Sequence, residues 1–436
     1  MAVPAADSVL SLHVTVLMIV TLTGSIILQR KIRSLSDRFL YRFTRTIHSL
    51  FAVLLITATL VISFMPEIVQ AEEKLLFAGF AFSGNYENRN VLYPYSARVE
   101  LIKDYNGQPL LNKVFNQKIK LRPHEDARLT TELGRIGEGS QVTVAFALTY
   151  ENIEYIELQD QIVLYLRLNF NVLAFDRKSK QLIAAYPIRL KYSEIVRDRL
   201  TDAQVLELFK TIYLTNDLGI NPFDLWLDKF ADLKIKDFYN KHLQVKHVDF
   251  EPEALTRLAD ERISPKAFAN LLANELETSI ASNNNVPIVP WSPGEAVGRV
   301  MPMRFADGNA FNLNLPVPDY EVDFAVRAFR GTSVEDPSSW QNIYRVLGTI
   351  KIRDVAAARY MLNENIYNTQ IITLAKRYNP KIEDWPQYRK TAFELIDETS
   401  KQFSGVSSKW LKESASRGGD AEGAFRDVSR IFEQLK

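Results

Sequence analysis

Two long apolar runs dominate the N-terminal segment of the chain, residues 1–71. Residues 9–28 contain no charged side chain and are long enough to cross the ~30 Å hydrocarbon core of a bilayer as a helix. A second apolar run over 50–65 leads through Pro66 to the tripeptide Val69-Gln70-Ala71. The stretch between the two runs is basic, with six Lys and Arg residues and a single acid, Asp37.

Two interpretations of this pattern are favoured over a third, a buried helical pair. In the first, Arg38 to Ala71 form a secretory signal peptide with a V-x-A cleavage site after Ala71. Its apolar region lies far from Met1, which a true start within the basic stretch would explain. In the second, both runs span the membrane as a hairpin with the basic loop in the cytoplasm, following the positive-inside rule. Both place the chain after residue 71 in a bacterial-type periplasm.

Strands are the main elements predicted between residues 72 and 195. Apolar runs and period-two alternation predict strands over 75–83, 98–103, 142–150, 161–175 and 182–192, and helical spacing predicts a helix over 110–119. The segment 176–180 (DRKSK) has the composition of a hairpin tip. These elements predict an antiparallel, β-rich domain over 72–195.

Helical signals follow. Thr201 and Gln204 have the spacing of a capping box, and Pro222 suits the first turn of a second helix. These signals predict a helical connection over 196–240.

Strand and helix signals then alternate up to residue 403. A strand over 243–250, a helix opened by Ser264-Pro265, strands near 320–330, 345–353 and 366–374 and a helix over 385–403 predict an α/β domain over 241–403. Residues 404–436 are predicted as a helical tail, and no repeat of fixed period is visible. The predicted fold class is α+β, with two exported domains preceded by one or two N-terminal hydrophobic helices.

Charge and composition exclude several classes of protein. The 436 residues hold 53 Lys and Arg and 52 Asp and Glu, for a formal charge of +1. Residues 1–71 carry +3, so residues 72–436 carry −2, and no basic footprint for nucleic acid is present. Cysteine is absent, which excludes disulfides, thiolate metal sites and a lipobox thiol.

Motifs for catalysis are missing from the sequence. It contains no G-x-x-x-x-G-K-[ST], H-E-x-x-H, G-x-S-x-G or S-x-x-K. Of its five histidines, His242 and His247 lie five apart on a predicted strand and point to opposite faces. His124 lies in a predicted turn. No cofactor is predicted, and a non-enzymatic protein is favoured.

One weak metal candidate remains. Asp249, Glu251 and Glu253 recur at every second residue, so on an extended segment their carboxylates would line one face and could hold Ca²⁺. The favoured alternative is a strand end followed by the acidic start of a helix.

A proline-rich stretch is the candidate binding element. The sequence VPIVPWSP over 286–293 holds two overlapping P-x-x-P units, formed by Pro287, Pro290 and Pro293, with Trp291 between them. A stiff extended segment with an aromatic residue is suited to docking, because part of its conformational entropy is already lost. The alternative is a surface connection with Trp291 packed onto its own domain.

The order of elements over about 240–403 resembles that of the periplasmic α/β domains of the curli-secretion-channel and TolB N-terminal type. This resemblance implies a non-catalytic module of envelope assembly. The proline-rich insert departs from that pattern, and the missing lipobox speaks against a pore-forming outer-membrane role.

The sequence therefore predicts a non-enzymatic cell-envelope protein that binds another protein or an envelope component. It would be periplasmic or anchored in the inner membrane, contacting the membrane through its N-terminal segment if uncleaved. The alternative is an exported hydrolase that uses two carboxylates, as glycosidases do. The binding interpretation predicts no deep aromatic cleft with two carboxyl groups ~5–10 Å apart across it. It predicts instead that the stretch around Trp291 and an apolar patch on a sheet or helix face are exposed.

Overall fold

A computed structural model describes residues 75–83, 89–123, 129–130, 142–158, 161–233, 241–291, 300–305, 310–375, 383–405, 409–416 and 419–435. Contacts divide the chain into two units, Met1–Ala71 and Glu72–Lys436. The predicted signal peptide or membrane hairpin lies outside the described residues, and so do His124 and Pro293. The fold described below is that of the second unit.

The elements of the first half begin at Leu75. In chain order they are β1 (Leu75–Ser83), α1 (Arg89–Leu92), α2 (Ser96–Glu100), α3 (Leu110–Lys120), β2 (Leu129–Thr130), β3 (Val142–Leu158), β4 (Gln161–Asp176), β5 (Leu182–Val196), α4 (Asp202–Leu214) and α5 (Pro222–Ala231).

The elements of the second half begin at Leu243. They are β6 (Leu243–Phe250), α6 (Pro252–Asp260), α7 (Pro265–Asn284), β7 (Val300–Phe305), β8 (Ala310–Asn314), β9 (Tyr320–Glu335), β10 (Ser339–Asp354), β11 (Arg359–Ala375), α8 (Asp384–Gln402), α9 (Lys409–Ser414) and α10 (Gly419–Leu435). Mixed helices and strands make this an α+β fold.

The strands form two sheets. The first has the order β5-β4-β3-β1-β7-β8, with β2 beside β1, and the second has the order β11-β10-β9-β6. The strands β7 and β8, which the sequence placed in the second domain, thus extend the sheet of the first half. Its end strand also reaches the start of β5, where Asn314 N donates to Lys180 O at 2.8 Å. The two halves therefore share a sheet.

The two halves repeat one topology. In each, a first strand (β1 or β6) lies parallel to a long strand (β3 or β9) that opens an antiparallel meander of three strands. The meander strands begin at positions 142, 161 and 182 in the first half and at 320, 339 and 359 in the second, so their spacing is nearly the same. A helix follows each meander. The described part of the second unit is thus a structural tandem repeat, although no repeat of fixed period is visible in the sequence.

The helices predicted as a connection over 196–240 form a layer of the first half. Val205, Phe209 and Ile212 of α4 and Trp226 and Phe230 of α5 are at most 3% exposed and belong to the core beneath the first sheet. Trp226 Nε1 also donates to Ala145 O of β3 at 3.2 Å. These helices cover the sheet because packing on it buries their apolar faces.

One predicted strand is wrong. Residues 98–103 continue helix α2 into a turn, and the amides at its start donate to a carboxylate from β3. Tyr95 N lies 2.9 Å from Glu151 Oε1, and Ser96 N lies 3.0 Å from Glu151 Oε2. Because Glu151, which caps this helix, is distant along the chain, the residues around Ser96 carry no local capping signal, and the sequence did not indicate the helix. By contrast, the capping box of Thr201 and Gln204 is formed as predicted.

A short segment ties the two sheets together. We call residues 286–290 the strap. Ile288 N donates to Ala185 O of β5 at 2.8 Å, and Val289 N donates to Leu243 O of β6 at 2.7 Å. Val286, Ile288 and Val289 are at most 2% exposed. The strap therefore connects an edge of the first sheet to an edge of the second.

Truncation of the strap should destabilise the protein. Ile288→Ala removes a side chain that is 1% exposed, so we expect the free energy of unfolding to fall by about 2–4 kcal/mol. The matched control is Ile195→Ala, because the side chain of Ile195 is 62% exposed and its loss should change stability by at most about 0.5 kcal/mol. Urea unfolding followed by tryptophan fluorescence measures both. Equal effects of the two substitutions would contradict a packing role for the strap.

A buried acid next to the strap should make stability depend on pH. Burial raises the pKa of Glu277 well above its usual range, although Trp291 N–H donates a hydrogen bond to this carboxyl. Between the unfolded pKa of ~4.3 and the higher folded pKa, only the unfolded chain loses the proton, so each pH unit lowers the free energy of unfolding by ~1.4 kcal/mol. Glutamine does not ionise, so in Glu277→Gln the free energy of unfolding does not fall with pH for this reason. We expect the variant to gain stability over the parent as pH rises from 5 to 7, measured by urea unfolding; a constant difference would refute this assignment.

Candidate functional site

A cleft of about 920 Å³ lies between the first sheet and the helices of the second half. One wall is the outer face of β3, β4 and β5, and the other is formed by α7, α8 and the end of β11. Residues from each element that line it include Glu154, Lys191, Leu271, Ile372, Gln387 and Phe393. Tyr165 and Tyr192 also line it.

Strand register brings three cations to one face of the first sheet. Arg167 of β4 lies directly opposite Lys191 of β5, and Asn169 lies opposite Arg189. Because side chains two residues apart point to the same side of a strand, Arg167, Arg189 and Lys191 share the face that meets the second half. Like charges directly across from each other destabilise a sheet. Anionic groups close to Arg167 and Lys191 are therefore required to offset this repulsion.

Glu275 of α7 supplies the central anion. Its carboxylate accepts from Arg189 Nη1 at 2.7 Å and from Arg167 Nη1 at 3.1 Å, and its residue exposure is only 2%. The guanidinium of Arg167 also lies 4.4 Å from the ring centroid of Phe393 on α8. This network joins two strands of the first sheet to two helices of the second half.

Further ion pairs hold the walls of the cleft. Arg389 of α8 pairs with Glu154 of β3 across the cleft. Partial burial acts to raise the pKa of Asp397, but hydrogen bonds from Lys401 and Asn283 outweigh it and hold that pKa below its usual range.

Lys191 is the third cation of this face, and unlike Arg167 and Arg189 it forms no ion pair with Glu275. Burial lowers its pKa, and the neighbouring Arg189 lowers it further. Within the described part of the chain, no hydrogen bond or ion pair joins its ammonium group to another residue.

Paired charges and apolar side chains line the cleft together. Glu154, Glu275 and Asp397 each contact a cation. Fixed charges, apolar side chains and amides on both walls are typical of a site that recognises a ligand.

The predicted docking residues are found mostly in the strap. Pro287 and Pro290 are buried. Trp291 is half-buried, and its Nε1 donates to Asn270 Oδ1 of α7 at 3.2 Å. The sequence predicted that this stretch is exposed, whereas residues 286–290 are buried and Trp291 is half-buried. The reason is that their apolar side chains fill the junction between the sheets. Docking at Trp291 stays a prediction.

Two of the three predicted metal candidates, Glu251 and Glu253, contact arginines. Arg330 forms a two-point pair with Glu253 at 3.0 and 3.1 Å, which holds the pKa of Glu253 below its usual range. Arg327 Nε lies 3.6 Å from Glu251, and Asp249 is exposed. Among the residues that the structure describes, no group of three His, Asp or Glu side chains is placed to hold a metal ion.

The two described histidines outside the N-terminal segment make separate contacts. His242 Nε2 lies 3.1 Å from Ile183 O, and His247 Nδ1 lies 2.9 Å from Asp323 Oδ1. Neither histidine lines the cleft.

Comparisons with known proteins add little to this geometry. No family model matches the sequence, and a search of the curated proteins gives no match. Among the described residues, no helix is both long and apolar enough to cross a bilayer.

Solved structures of three bacterial proteins align with part of the chain. Rare lipoprotein B from Shewanella oneidensis is 12% identical, covers 36% of this chain and 93% of its own, and has a TM-score of 0.20. A minor lipoprotein from Acinetobacter baumannii is 12% identical over 38% and 90%, with a TM-score of 0.19. A DUF330 protein from Xanthomonas campestris is 9% identical over 37% and 80%, with a TM-score of 0.17. Similarity at these scores supports no conclusion about this chain.

The buried network should dominate the stability of the site. Glu275→Ala leaves the guanidinium groups of Arg167 and Arg189 without their shared anion, so we expect the free energy of unfolding to fall by about 3–5 kcal/mol. The control is Glu253→Ala, which breaks an exposed pair with Arg330 and should have little effect. Urea unfolding compares the two. A fall in the free energy of unfolding no larger for Glu275→Ala than for Glu253→Ala would contradict this role of Glu275.

Proposed function

We propose that the protein is a non-enzymatic component of the cell envelope that binds another protein or an envelope component in the cleft. Residues 72–436 would act in the periplasm, either released or tethered to the inner membrane by the N-terminal segment. The cleft between the two repeats is the observation that carries the proposal.

The location is supported by the sequence. The apolar run over 9–28, the basic stretch and the second run over 50–65 are the pattern of an export signal or of a membrane hairpin. Cleavage after Ala71 would release a chain that starts at Glu72, and no cleavage would leave it anchored.

The binding role is supported by the walls of the cleft. Arg389 and Glu154 pair across it, and Glu275 holds Arg167 and Arg189, so the walls are preorganised and a ligand need not order them. Its volume of about 920 Å³ is at the upper end for small-molecule pockets. An open site of this size suits a segment of a macromolecule or an envelope lipid or glycan.

Photocrosslinking in cells tests this function. A photoreactive amino acid replaces Gln387, which lines the cleft and is half-buried. We expect ultraviolet light to join the protein to an envelope component from this position. Because Tyr105 is 91% exposed and does not line the cleft, the same amino acid at Tyr105 should not form that adduct.

Fractionation and N-terminal sequencing of the same cells test the location. Protein that starts at Glu72 in the periplasm indicates cleavage, and an intact Met1 in membranes indicates the hairpin. An intact soluble protein in the cytoplasm would refute export. Identical adducts from Gln387 and Tyr105, or turnover of a polysaccharide by the purified protein, would refute binding in the cleft.

A further inference from the structure

Strand β11 lies at one end of the second sheet, and part of its open edge is covered by the segment around α9. Ser416 N, just after α9, donates to Asn365 O at 2.9 Å, and Trp410 Nε1 of α9 donates to Asn368 Oδ1 at 3.3 Å. Beyond Asn368, β10 is the one strand that pairs with β11 among the described residues. The rest of this edge is therefore uncovered by any described strand.

The uncovered part of β11 directs main-chain groups away from the sheet. Along an antiparallel strand, successive residues direct their N–H and C=O groups to opposite sides. Asn365 O points away from β10, and the register with β10 has no bulge over residues 362–375. The N–H and C=O groups of Thr369, Ile371 and Thr373 therefore point to the open edge. Within the described part of the chain, none of them has a hydrogen-bond partner.

This edge lacks the features that protect an edge strand. Charged side chains, proline and bulges keep sheet edges from pairing with other chains. Residues 365–375 contain no charged residue, no proline and no glycine. The open edge of β5 differs, because the strap covers its first part and Pro187, Lys191 and Glu194 lie in the remainder. Of these two edges, that of β11 is the one suited to accept a further strand.

The open edge of β11 borders the cleft. Gln370, Ile372 and Leu374, which alternate with the residues of the open edge, line the cleft. A strand added beside β11 would extend the second sheet along the cleft. Every second side chain of that strand would lie next to Ile372 and Leu374. Apolar side chains suit these positions.

Lys191 on the facing wall adds a preference for an acid. It lines the same cleft, and among the described residues its ammonium group has no ion pair. Glu275 and Asp397 lie close enough to act on Lys191 electrostatically, but both are bound to other cations. A carboxylate on the added strand would give Lys191 a partner of its own.

We propose that the cleft binds an extended segment of another envelope protein, which joins the second sheet as a strand beside β11 and directs apolar side chains and one acidic side chain into the cleft. This inference rests on the proposed function, because it names the class of ligand that the cleft binds. The main-chain edge favours a peptide. An extended peptide carries a row of N–H and C=O groups that matches Thr369, Ile371 and Thr373, whereas a lipid chain or a glycan has no such row.

A proline at the open edge tests the pairing. Thr373→Pro replaces the N–H that points to the edge by a ring, and it keeps the bonds to β10, which come from the even-numbered residues. Thr373→Val is the matched control, since it keeps both the N–H and the shape. In cells with the photoreactive amino acid at Gln387, we expect Thr373→Pro to lower the yield of the protein adduct at least about tenfold. Thr373→Val should leave the yield unchanged.

Hydrogen exchange tests the added strand in the parent protein, so it does not depend on the folding of Thr373→Pro. Digestion of the adduct identifies the partner segment, and a synthetic peptide of that sequence is added to the purified full-length chain in mild detergent. We expect the amides within residues 369–374 to exchange more slowly when the peptide is bound.

The same peptide tests the role of Lys191. We expect Lys191→Gln to raise the dissociation constant of the peptide at least about threefold. Lys266→Gln is the control, because Lys266 is exposed near the start of α7 and does not line the cleft. It should leave the dissociation constant unchanged.

Several results would overturn the inference and leave the proposed function standing. The adduct from Gln387 could contain a lipid or a glycan, or a second copy of this chain. Equal adduct yields from Thr373→Pro and Thr373→Val would also overturn it, and so would a bound peptide that leaves exchange within residues 369–374 unchanged, as a helix in the cleft would. If Gln387 forms no adduct with any envelope component, the proposed function fails and this inference fails with it.

Discussion

A single buried carboxylate fixes how the two repeats meet. Glu275 is 2% exposed and binds arginines from two neighbouring strands, while Leu272 and Leu276 on the same helix are in the core of the second half. A charge this deeply buried is tolerated only with its partners in place. Helix α7 is therefore held in one position against β4 and β5. This also positions the strap, which follows α7 directly, between the edges of the two sheets.

The cleft and the exposed outer side of the second sheet both follow from stacking two copies of one topology. The helix layer of the second repeat reaches the first sheet through Glu275 and Arg389, and the space left beside these contacts is the cleft. Within the described residues, no third repeat covers the outer side of the second sheet. In stacked repeats the terminal surfaces must be polar or covered, and Ile371 and Val334 are neither polar nor buried.

Local signals in the sequence predicted local structure well. The hydroxyl of Thr201 and the amide of Gln204 cap α4, and Ser264 Oγ accepts from Ala267 N at the start of α7, because a cap needs partners only three positions away. The helix at Ser96–Glu100 was missed because its cap, Glu151, comes from a distant strand. The repeat was missed because equivalent positions need share only the pattern of inward apolar residues. Lys191 corresponds to Thr369 and Glu154 to Thr332 across the two faces, and nothing in the sequence alone aligns them.

The strap shows why a proline-rich stretch is ambiguous in sequence. Proline removes backbone donors and stiffens the chain, which suits docking onto a partner and bridging two sheets equally well. Counting the remaining N–H groups separates the two cases. Pro287 and Pro290 have none, Ile288 and Val289 donate to β5 and β6, and Trp291 donates to Glu277. No main-chain donor between residues 287 and 291 is left for a partner. In the described part of this stretch, the half-buried ring of Trp291 is the side chain that could still contact a partner.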